Sequence, residues 1–228
     1  TDETDIGDSG DDSPEESDFV ISDKGVLTEY KGTGGDVVIP DGVTEIGTSV
    51  FANNQTITSV KFPEGLMKIG DSAFSGCSGL SGELKLPDSL TAIADYAFRN
   101  CSKLSGDINI PDNITSIGYM AFYDCNGFDG TLKLPENLKN IPGYAFYNCS
   151  GLTGELEIPA KIEQIGYSSF SGLNKITALT IGESVNYINT DYGSNHAFYN
   201  WAEVETVCFL GTTPPSASNS GYSIFLNM

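Results

Sequence analysis

Hydrophobic residues return along this chain at a nearly constant interval of 23 or 24 residues. Self-similarity at a period of about 20 to 50 residues is the signature of a repeat array, in which each unit buries its apolar face against its neighbours. The sequence therefore predicts a single solenoid of about seven repeats. The phenylalanines that keep this interval are Phe51, Phe74, Phe98, Phe122, Phe146, Phe170 and, after a longer step of 28 residues, Phe198.

One unit, residues 84–107, shows the local structure that each repeat predicts. Apolar and polar residues alternate in Glu83–Leu86, which predicts a short strand that Pro87 ends. The later segment 95–101, with the sequence DYAFRNC, predicts about one or two helical turns behind a capping aspartate, Asp95. So short a unit buries too little apolar surface to be stable alone, so each strand is expected to pair with the equivalent strand of the next repeat.

These units resemble the leucine-rich repeats of the BspA-like family of bacterial cell-surface proteins, whose unit reads approximately I-x-I-P-x-x-V-T-x-I-G-x-x-A-F-x-x-C-x-x-L. The resemblance implies a leucine-rich repeat solenoid of about seven repeats. Short parallel strands would lie on the concave face, with short helical turns and second short strands on the convex side. Matching residues are Pro63, Ile69, Gly70, Ala73, Phe74, Cys77 and Leu80 in one unit, and Pro111, Ile117, Gly118, Ala121, Phe122 and Cys125 two units later.

Composition divides the chain into segments. Nine of the 31 acidic residues and none of the 11 basic residues lie in residues 1–18, which leaves a net charge of −11 for the remainder. Residues 1–18 have too few apolar side chains to fold and are predicted to be a disordered acidic linker. Residues 19–40 resemble the hairpin that begins such arrays, 41–210 are the solenoid, and 211–228 are a C-terminal cap or tail. The acidic balance disfavours nucleic acid and anionic membranes as partners.

Four cysteines keep the repeat spacing and are expected to form a column with about one strand spacing between neighbours. That distance permits disulfides, but side chains in a ladder point the same way, so buried reduced thiols are favoured over disulfides or a metal site. Cys208 lies outside the column and is assigned to the core. The predicted structural core contains Phe74, Phe98, Phe122, Phe146, Phe170, Cys77, Cys101, Cys125 and Cys149.

Catalytic chemistry has little support in the sequence. The single histidine, His196, lies in an insertion beside Asp191 and Asn195. A functional loop and an exposed histidine beside the core both fit this pattern, and the exposed histidine is favoured. Carboxylates such as Glu83 and Asp107 share one column, but no apolar pocket is evident that would raise a pKa for acid catalysis. We therefore predict no catalytic residues, no metal ion and no cofactor.

Two sets of residues are candidates for binding. The repeat register places one charged row on the outward face of the strands, and a tyrosine strip flanks the phenylalanines. The row equally fits a solubilising surface, and the tyrosines equally fit a shield for the core edge. The candidate residues are Lys61, Lys85, Asn109, Lys133 and Glu157 in the row, and Tyr96, Tyr123, Tyr144 and Tyr147 in the strip.

The family resemblance implies a noncatalytic, surface-exposed protein-binding or adhesion module. Its expected partner is a protein ligand, such as a host extracellular protein or another cell surface, without direct membrane insertion by this chain. The expected location is extracellular or at the cell surface, with a lipid anchor supplied through a removed N-terminal leader. A structural spacer or surface-assembly protein without a specific ligand is the alternative.

Overall fold

A computed structural model of the chain describes residues 18–191, 195–213 and 215–217. The acidic linker predicted at residues 1–18 lies outside the described residues apart from Asp18, and so does most of the predicted C-terminal segment at 211–228. The described part consists of short strands and turns and contains no α-helix. None of its elements is a helix long and apolar enough to cross a membrane.

Two antiparallel hairpins stand apart from the repeat pattern. The first consists of β1 (Phe19–Ile21) and β2 (Val26–Tyr30), and the second of β18 (Thr190–Asp191) and β19 (Asn195–His196). Strand β2 also pairs in parallel with the first strand of the next repeat. The first hairpin therefore lies at one edge of a six-stranded sheet.

Two series of short parallel strands run through the repeats, so the predicted solenoid of parallel strands is confirmed. Equivalent residues pair, as Asn109 does with Lys133 and Ile69 with Ile93, so equivalent side chains of successive strands lie on the same face. The first series consists of β3 (Gly35–Val38), β5 (Ile57–Lys61), β7 (Ser81–Glu83), β9 (Lys103–Ser105), β10 (Ile108–Asn109), β12 (Leu132–Lys133), β14 (Thr153–Ile158), β16 (Lys175–Ile181) and β20 (Thr206–Phe209). The second consists of β4 (Glu45–Ile46), β6 (Lys68–Ile69), β8 (Ala92–Ile93), β11 (Ser116–Ile117), β13 (Asn140–Ile141), β15 (Gln164–Ile165), β17 (Tyr187–Ile188) and β21 (Ser216–Ala217).

The segments predicted as helical turns are not helical. Tyr96 and Asn100 have φ values of +59° and +62°, a left-handed conformation that interrupts a right-handed helix. The amide of Phe98 donates to the carbonyl of Ala121 in the next repeat at 2.8 Å. Asp95, predicted as a helix cap, instead accepts the amide of Tyr119 at 2.7 Å. These turns therefore join neighbouring repeats through backbone hydrogen bonds.

A continuous stack of phenylalanine rings forms the centre of the core. The rings of Phe74 and Phe98 have centroids 5.3 Å apart and an interplanar angle of 3°, and those of Phe122 and Phe146 are 5.5 Å and 7° apart. The rings stack nearly parallel within the distance at which aromatic pairs are favourable. We call this stack the phenylalanine spine, and its buried members are Phe51, Phe74, Phe98, Phe122, Phe146, Phe170 and Phe198.

The four cysteines that keep the repeat spacing are free thiols with no exposed surface. Each thiol donates to the carbonyl of the spine phenylalanine in the preceding repeat: Cys101 Sγ lies 3.1 Å from the oxygen of Phe74, and Cys125 Sγ lies 2.9 Å from that of Phe98. The cysteine column therefore links successive repeats through hydrogen bonds. Disulfides, the alternative considered from the sequence, are not formed by these four cysteines.

Cys208 was assigned to the core, and this assignment is wrong because the residue is exposed. Its register explains the difference: Cys208 pairs with Thr180, which in turn pairs with Glu157. Glu157 is an exposed residue of the outward row. Since side chains alternate along a strand, Cys208 shares the outward face with Glu157.

The buried thiols predict a loss of stability at alkaline pH. Burial raises the pKa of Cys77 to about 12 and also raises the pKa of Cys125. Below about pH 8.5 a thiol is protonated in both the folded and the unfolded chain. Above that pH the unfolded chain loses the proton first, so each buried thiol lowers the free energy of unfolding by about 1.4 kcal/mol per pH unit until the folded pKa is reached.

Urea unfolding at pH 8 and pH 10 checks this expectation. The difference in unfolding free energy between the two pH values should be smaller in Cys125→Ala than in the unaltered chain, because one of the titrating thiols is gone. The same substitution at the exposed Cys208 should leave that difference nearly unchanged. An equal pH dependence in Cys125→Ala and the unaltered chain would contradict the thiol account.

Candidate functional site

The first candidate surface is the outward row of the first strand series, all of whose predicted contact residues are exposed. Two of its lysines already form ion pairs: Lys85 Nζ lies 3.3 Å from a Glu83 oxygen, and Lys133 Nζ lies 3.3 Å from an Asp112 oxygen. Exposed pairs of this kind contribute only about 0 to 1 kcal/mol. A groove of about 320 Å³ lies beside Lys133 and Glu157. The members of the row are Lys61, Lys85, Asn109, Lys133 and Glu157.

The second candidate surface lies on the turn segments, beside the spine. Tyr144 contacts the rings of Tyr147 at 5.4 Å and Tyr167 at 5.0 Å between centroids, with interplanar angles of 71° and 89°. Edge-to-face contacts of this kind are a favourable arrangement for aromatic rings. We call the half-buried, mutually contacting residues the tyrosine cluster: Tyr96, Tyr119, Tyr123, Tyr144, Tyr147 and Tyr167.

Two members of the cluster, Tyr123 and Tyr147, occupy equivalent positions in neighbouring repeats, each directly after a spine phenylalanine. The amide of Asn100 donates to the carbonyl of Tyr123 at 2.8 Å, and the amide of Asp124 donates to the carbonyl of Tyr147 at 2.9 Å. These hydrogen bonds fix the register between neighbouring repeats. The rings of Tyr123 and Tyr147 stack with centroids 4.8 Å apart and an angle of 11°. The guanidinium of Arg99 lies 5.7 Å from the centroid of Tyr123, within the range of a cation–π contact.

The tyrosine cluster borders a groove of about 310 Å³. Five tyrosines line it together with Met120, Ser168 and Ser171. Four of the five rings contact another of these rings, so the groove presents aromatic faces and phenol hydroxyls that are already positioned. We call it the tyrosine groove; its tyrosines are Tyr119, Tyr123, Tyr144, Tyr147 and Tyr199.

Two phenols of the groove, those of Tyr119 and Tyr123, have raised pKa values. Burial, followed by contact with Tyr167, raises the pKa of Tyr119, and burial, followed by the charge of Asp124, raises the pKa of Tyr123. An ordinary tyrosine pKa is about 10, so a raised value leaves these hydroxyl groups protonated. They can therefore donate and accept hydrogen bonds.

Asp107, a member of the carboxylate column, does not show the features of an acid catalyst. Hydrogen bonds from the amide and the hydroxyl of Thr131, at 2.6 and 2.8 Å, lower the pKa of Asp107. A general acid requires a raised pKa, and Asp107 instead fixes the turn of the next repeat. Across residues 18–191, 195–213 and 215–217, no group of three or more histidine, cysteine or acidic side chains is arranged to hold a metal ion.

His196 was expected to be exposed, but it is fully buried. It precedes Ala197 and Phe198 and occupies the same repeat position as Ser168, which is also buried. The longer step before this repeat concealed that equivalence in the sequence. His196 therefore lies inside the fold and is not displayed on a loop.

The sequence analysis did not identify two residues, Trp201 and Tyr167, that pack beside the spine or in the tyrosine cluster. Trp201 stands where other repeats have cysteine, and its indole Nε1 donates to the carbonyl of Phe170 at 2.7 Å, as the cysteine thiols do in the preceding repeats. The signal was present, since FYNW at 198–201 matches FYNC at 146–149. Tyr167 was also missed, although it precedes Phe170 by three residues as Tyr119 precedes Phe122, and its ring contacts Tyr144.

Comparisons with known proteins agree with this architecture. The signature of the BspA type leucine rich repeat region occurs in six copies, matched over residues 31–153 and 80–205. A leucine-rich repeat protein from Bacteroides ovatus ATCC 8483 is similar in structure, with a TM-score of 0.57 and 21% identity over 82% of this chain and 59% of that one. The chain thus corresponds to 59% of the Bacteroides protein's length.

A leucine rich repeat protein of T. pallidum gives a TM-score of 0.58 at 21% identity, over 90% of this chain and 86% of that one. At 21% identity, the similarity to these two bacterial proteins shows a shared fold and nothing about function. Among curated proteins, no significant match was found.

Proposed function

Because this chain belongs to the BspA-type leucine-rich repeat family, we propose that it is a noncatalytic protein-binding or adhesion module whose tyrosine groove contacts a partner protein. The observation that carries the proposal is the groove of about 310 Å³ lined by five tyrosines. These rings lie outside the phenylalanine spine and are half-buried. They retain surface that a partner can cover.

The chemistry of the groove favours protein recognition. Tyrosine is enriched at protein interfaces and among the residues that dominate binding energy, because one end of the ring is apolar and the other forms hydrogen bonds. Rings held in place by Tyr144 and its neighbours lose little further conformational freedom when a partner binds. The outward charged row lacks this arrangement, and two of its lysines, Lys85 and Lys133, are engaged in exposed ion pairs.

The proposal extends to an extracellular or cell-surface location, with a host extracellular protein or another cell as the partner. The family resemblance supports this location, and so does the acidic composition of residues 1–18. A charged segment of low hydrophobicity is suited to hold a folded domain away from its point of attachment. A lipid anchor supplied by a removed leader belongs to the same proposal.

A capture experiment tests the function. The immobilised chain is incubated with purified extracellular matrix proteins, and the affinity of each retained protein is measured. The double substitution Tyr123→Ala and Tyr147→Ala is expected to weaken binding by at least about 30-fold, because the loss of even one interface hot spot costs about 2 kcal/mol or more. Truncating half-buried rings is less disruptive than truncating the spine, and circular dichroism verifies that the variant folds.

Tyr187→Ala is the matched control, since it also removes a half-buried tyrosine but lies in β17, away from the tyrosine groove. Its affinity should equal that of the unaltered chain. Equal binding by the double variant would contradict a role for the groove. If the chain retains none of the proteins while its removal from cells alters surface organisation, the structural-spacer alternative is favoured.

A further inference from the structure

We propose that the tyrosine groove binds a proline-rich segment of its partner protein in the polyproline II conformation. Proline rings of this segment lie on Tyr147 and Tyr199, and its main-chain carbonyls accept hydrogen bonds from phenol hydroxyls. The inference rests on the proposed function, since it specifies the chemistry that the groove recognises. It follows from the lack of charge in the groove, the engagement of its backbone, its free hydroxyls and the spacing of its rings.

The lining of the tyrosine groove is uncharged. Among the described residues, none of those that line it is acidic or basic, although the chain carries 31 acidic and 11 basic residues. The groove beside Lys133, in contrast, is also lined by Glu136, Glu155 and Glu157. A charged side chain that entered the tyrosine groove would lose hydration without meeting an opposite charge. The groove therefore favours an uncharged stretch of its partner.

The backbone beneath the groove is already hydrogen-bonded between repeats. The amide of Asn148 donates to the carbonyl of Ser171, and the amide of Gly172 donates to the carbonyl of Tyr199, both at 2.8 Å. A ligand that binds as an added strand needs an edge whose amides and carbonyls are unpaired, and these turns spend theirs on the neighbouring repeat. Recognition therefore depends on the tyrosine side chains.

The tyrosines present hydroxyl groups to a ligand. Burial, followed by the charge of Asp124, raises the pKa of Tyr123, so this phenol stays protonated and can donate a hydrogen bond. None of the side-chain hydrogen bonds within the described residues engages the hydroxyls of Tyr123, Tyr144 and Tyr147. Proline carries a carbonyl acceptor and no amide hydrogen. A proline-rich segment therefore brings acceptors to these donors and buries no N–H group without a partner.

The rings of the groove recur at the pitch of a polyproline II helix. Tyr147 and Tyr199 hold equivalent positions two repeats apart. Neighbouring repeats pair through strands about 4.8 Å apart, so two repeats advance by about 9.6 Å. A polyproline II helix has about three residues per turn and rises about 3.1 Å per residue, which gives about 9.3 Å per turn. A proline that lies on Tyr147 is therefore followed, one turn later, by a residue that lies on Tyr199.

The segment lies across the rings and does not enter between the repeats. Ser168 and Ser171 line the groove but are only 1% and 3% exposed, so they offer almost no surface to a ligand. Tyr144, Tyr147 and Tyr199 are half-buried and retain exposed surface. Proline rings can cover this surface from outside, and a segment already in the polyproline II conformation loses little conformational freedom on binding.

A pair of mirror-image peptides tests the proposal. Acetyl-hexa-L-proline amide and its D-proline counterpart are titrated into the full chain while the ring-proton shifts of the tyrosines are followed by NMR. The L peptide is expected to bind in the millimolar range and to shift the resonances of Tyr147 and Tyr199. The D peptide has the same composition but forms a helix of the opposite hand, so it should bind at least about tenfold more weakly.

Tyr147→Phe keeps the ring and removes one hydroxyl group. It should weaken binding of the L peptide by about threefold to tenfold, the range for one net hydrogen bond. Tyr187→Phe is the matched control, since it removes the hydroxyl of a half-buried tyrosine in β17, away from the groove, and it should bind as the unaltered chain does. Undiminished binding by Tyr147→Phe, equal binding of the two mirror-image peptides, or tighter binding of acetyl-hexa-alanine amide, which carries amide hydrogens, would overturn the proposal.

The proline-rich ligand and the general binding function can fail separately. A captured matrix protein that loses affinity when Tyr123 and Tyr147 are replaced, yet is not displaced by a saturating concentration of the L peptide, overturns the proline-rich ligand and leaves the function standing. Binding of the L peptide that depends on Tyr147, without capture of any matrix protein, supports the ligand and overturns the function.

Discussion

Replacing Phe122 by alanine is expected to lower the free energy of unfolding by about 3 to 5 kcal/mol, the range for truncating a fully buried aromatic side chain. Phe122 has no exposed surface, and its ring stacks on Phe98 at 5.3 Å and on Phe146 at 5.5 Å. Alanine would remove both contacts and leave a cavity in the middle of the phenylalanine spine. Each repeat is stabilised chiefly by its neighbours, so a loss at the centre weakens the array on both sides.

Urea unfolding followed by circular dichroism measures this effect. Met67→Ala is the control, because Met67 is also a large apolar residue but is 52% exposed. It is expected to change the unfolding free energy by less than about 0.5 kcal/mol. If Phe122→Ala cost no more than Met67→Ala, the spine would not be the source of stability.

The second large effect is expected at Trp201, where alanine should cost about 3 to 5 kcal/mol. The indole is fully buried, packs edge-on against Phe198 at 5.2 Å between centroids, and donates to the carbonyl of Phe170 at 2.7 Å. Alanine would leave a cavity beside the last spine ring and remove the donor from a buried carbonyl, which adds a desolvation cost. In a repeat array the loss should be greatest in the repeats near the substitution.

Trp201→Phe separates packing from hydrogen bonding, since it keeps an aromatic ring and removes the N–H group. It is expected to cost about 1 to 3 kcal/mol, the penalty for an unsatisfied buried acceptor with some loss of packing. Urea unfolding gives the total loss for each variant, and hydrogen exchange shows whether it is concentrated between Phe170 and Phe198. Equal stability of Trp201→Phe and the unaltered chain would contradict a structural role for the indole hydrogen bond.

The spacing of residues such as Phe74 and Phe98 was sufficient to predict the solenoid and its parallel strands. A period in the sequence becomes a column in the structure because equivalent residues of stacked repeats must lie beside one another. Pairing of Ile69 with Ile93 shows this correspondence directly. The repeat pattern is thus a long-range signal that does not depend on local secondary-structure propensity.

The turn conformation was not predictable in the same way. Segment 95–101 contains residues compatible with a helical turn, but Tyr96 and Asn100 adopt positive φ values. Their amides donate to carbonyls of the next repeat at 2.9 and 2.8 Å. Hydrogen bonds between repeats override local preference here, and only the stacked structure provides those partners.

The candidate binding surface was predictable only in part. Tyrosines such as Tyr147 stood out because they flank the spine in several repeats. The groove is also lined by Ser168 and Ser171, which are only 1% and 3% exposed. Serine in a turn carries no binding signal of its own, so the register of adjacent repeats was needed to place these serines beside the tyrosines.

Hydrogen exchange along the spine tests most directly whether the repeats share one interior that holds the tyrosine groove in place. The amides of Phe74, Phe98, Phe122 and Phe146 each donate to the next repeat at 2.8 Å. Continuous strong protection of all four is the expected result, with faster exchange only toward the ends of the array. Rapid exchange at one central phenylalanine between two protected flanks would show separate interiors and contradict the account.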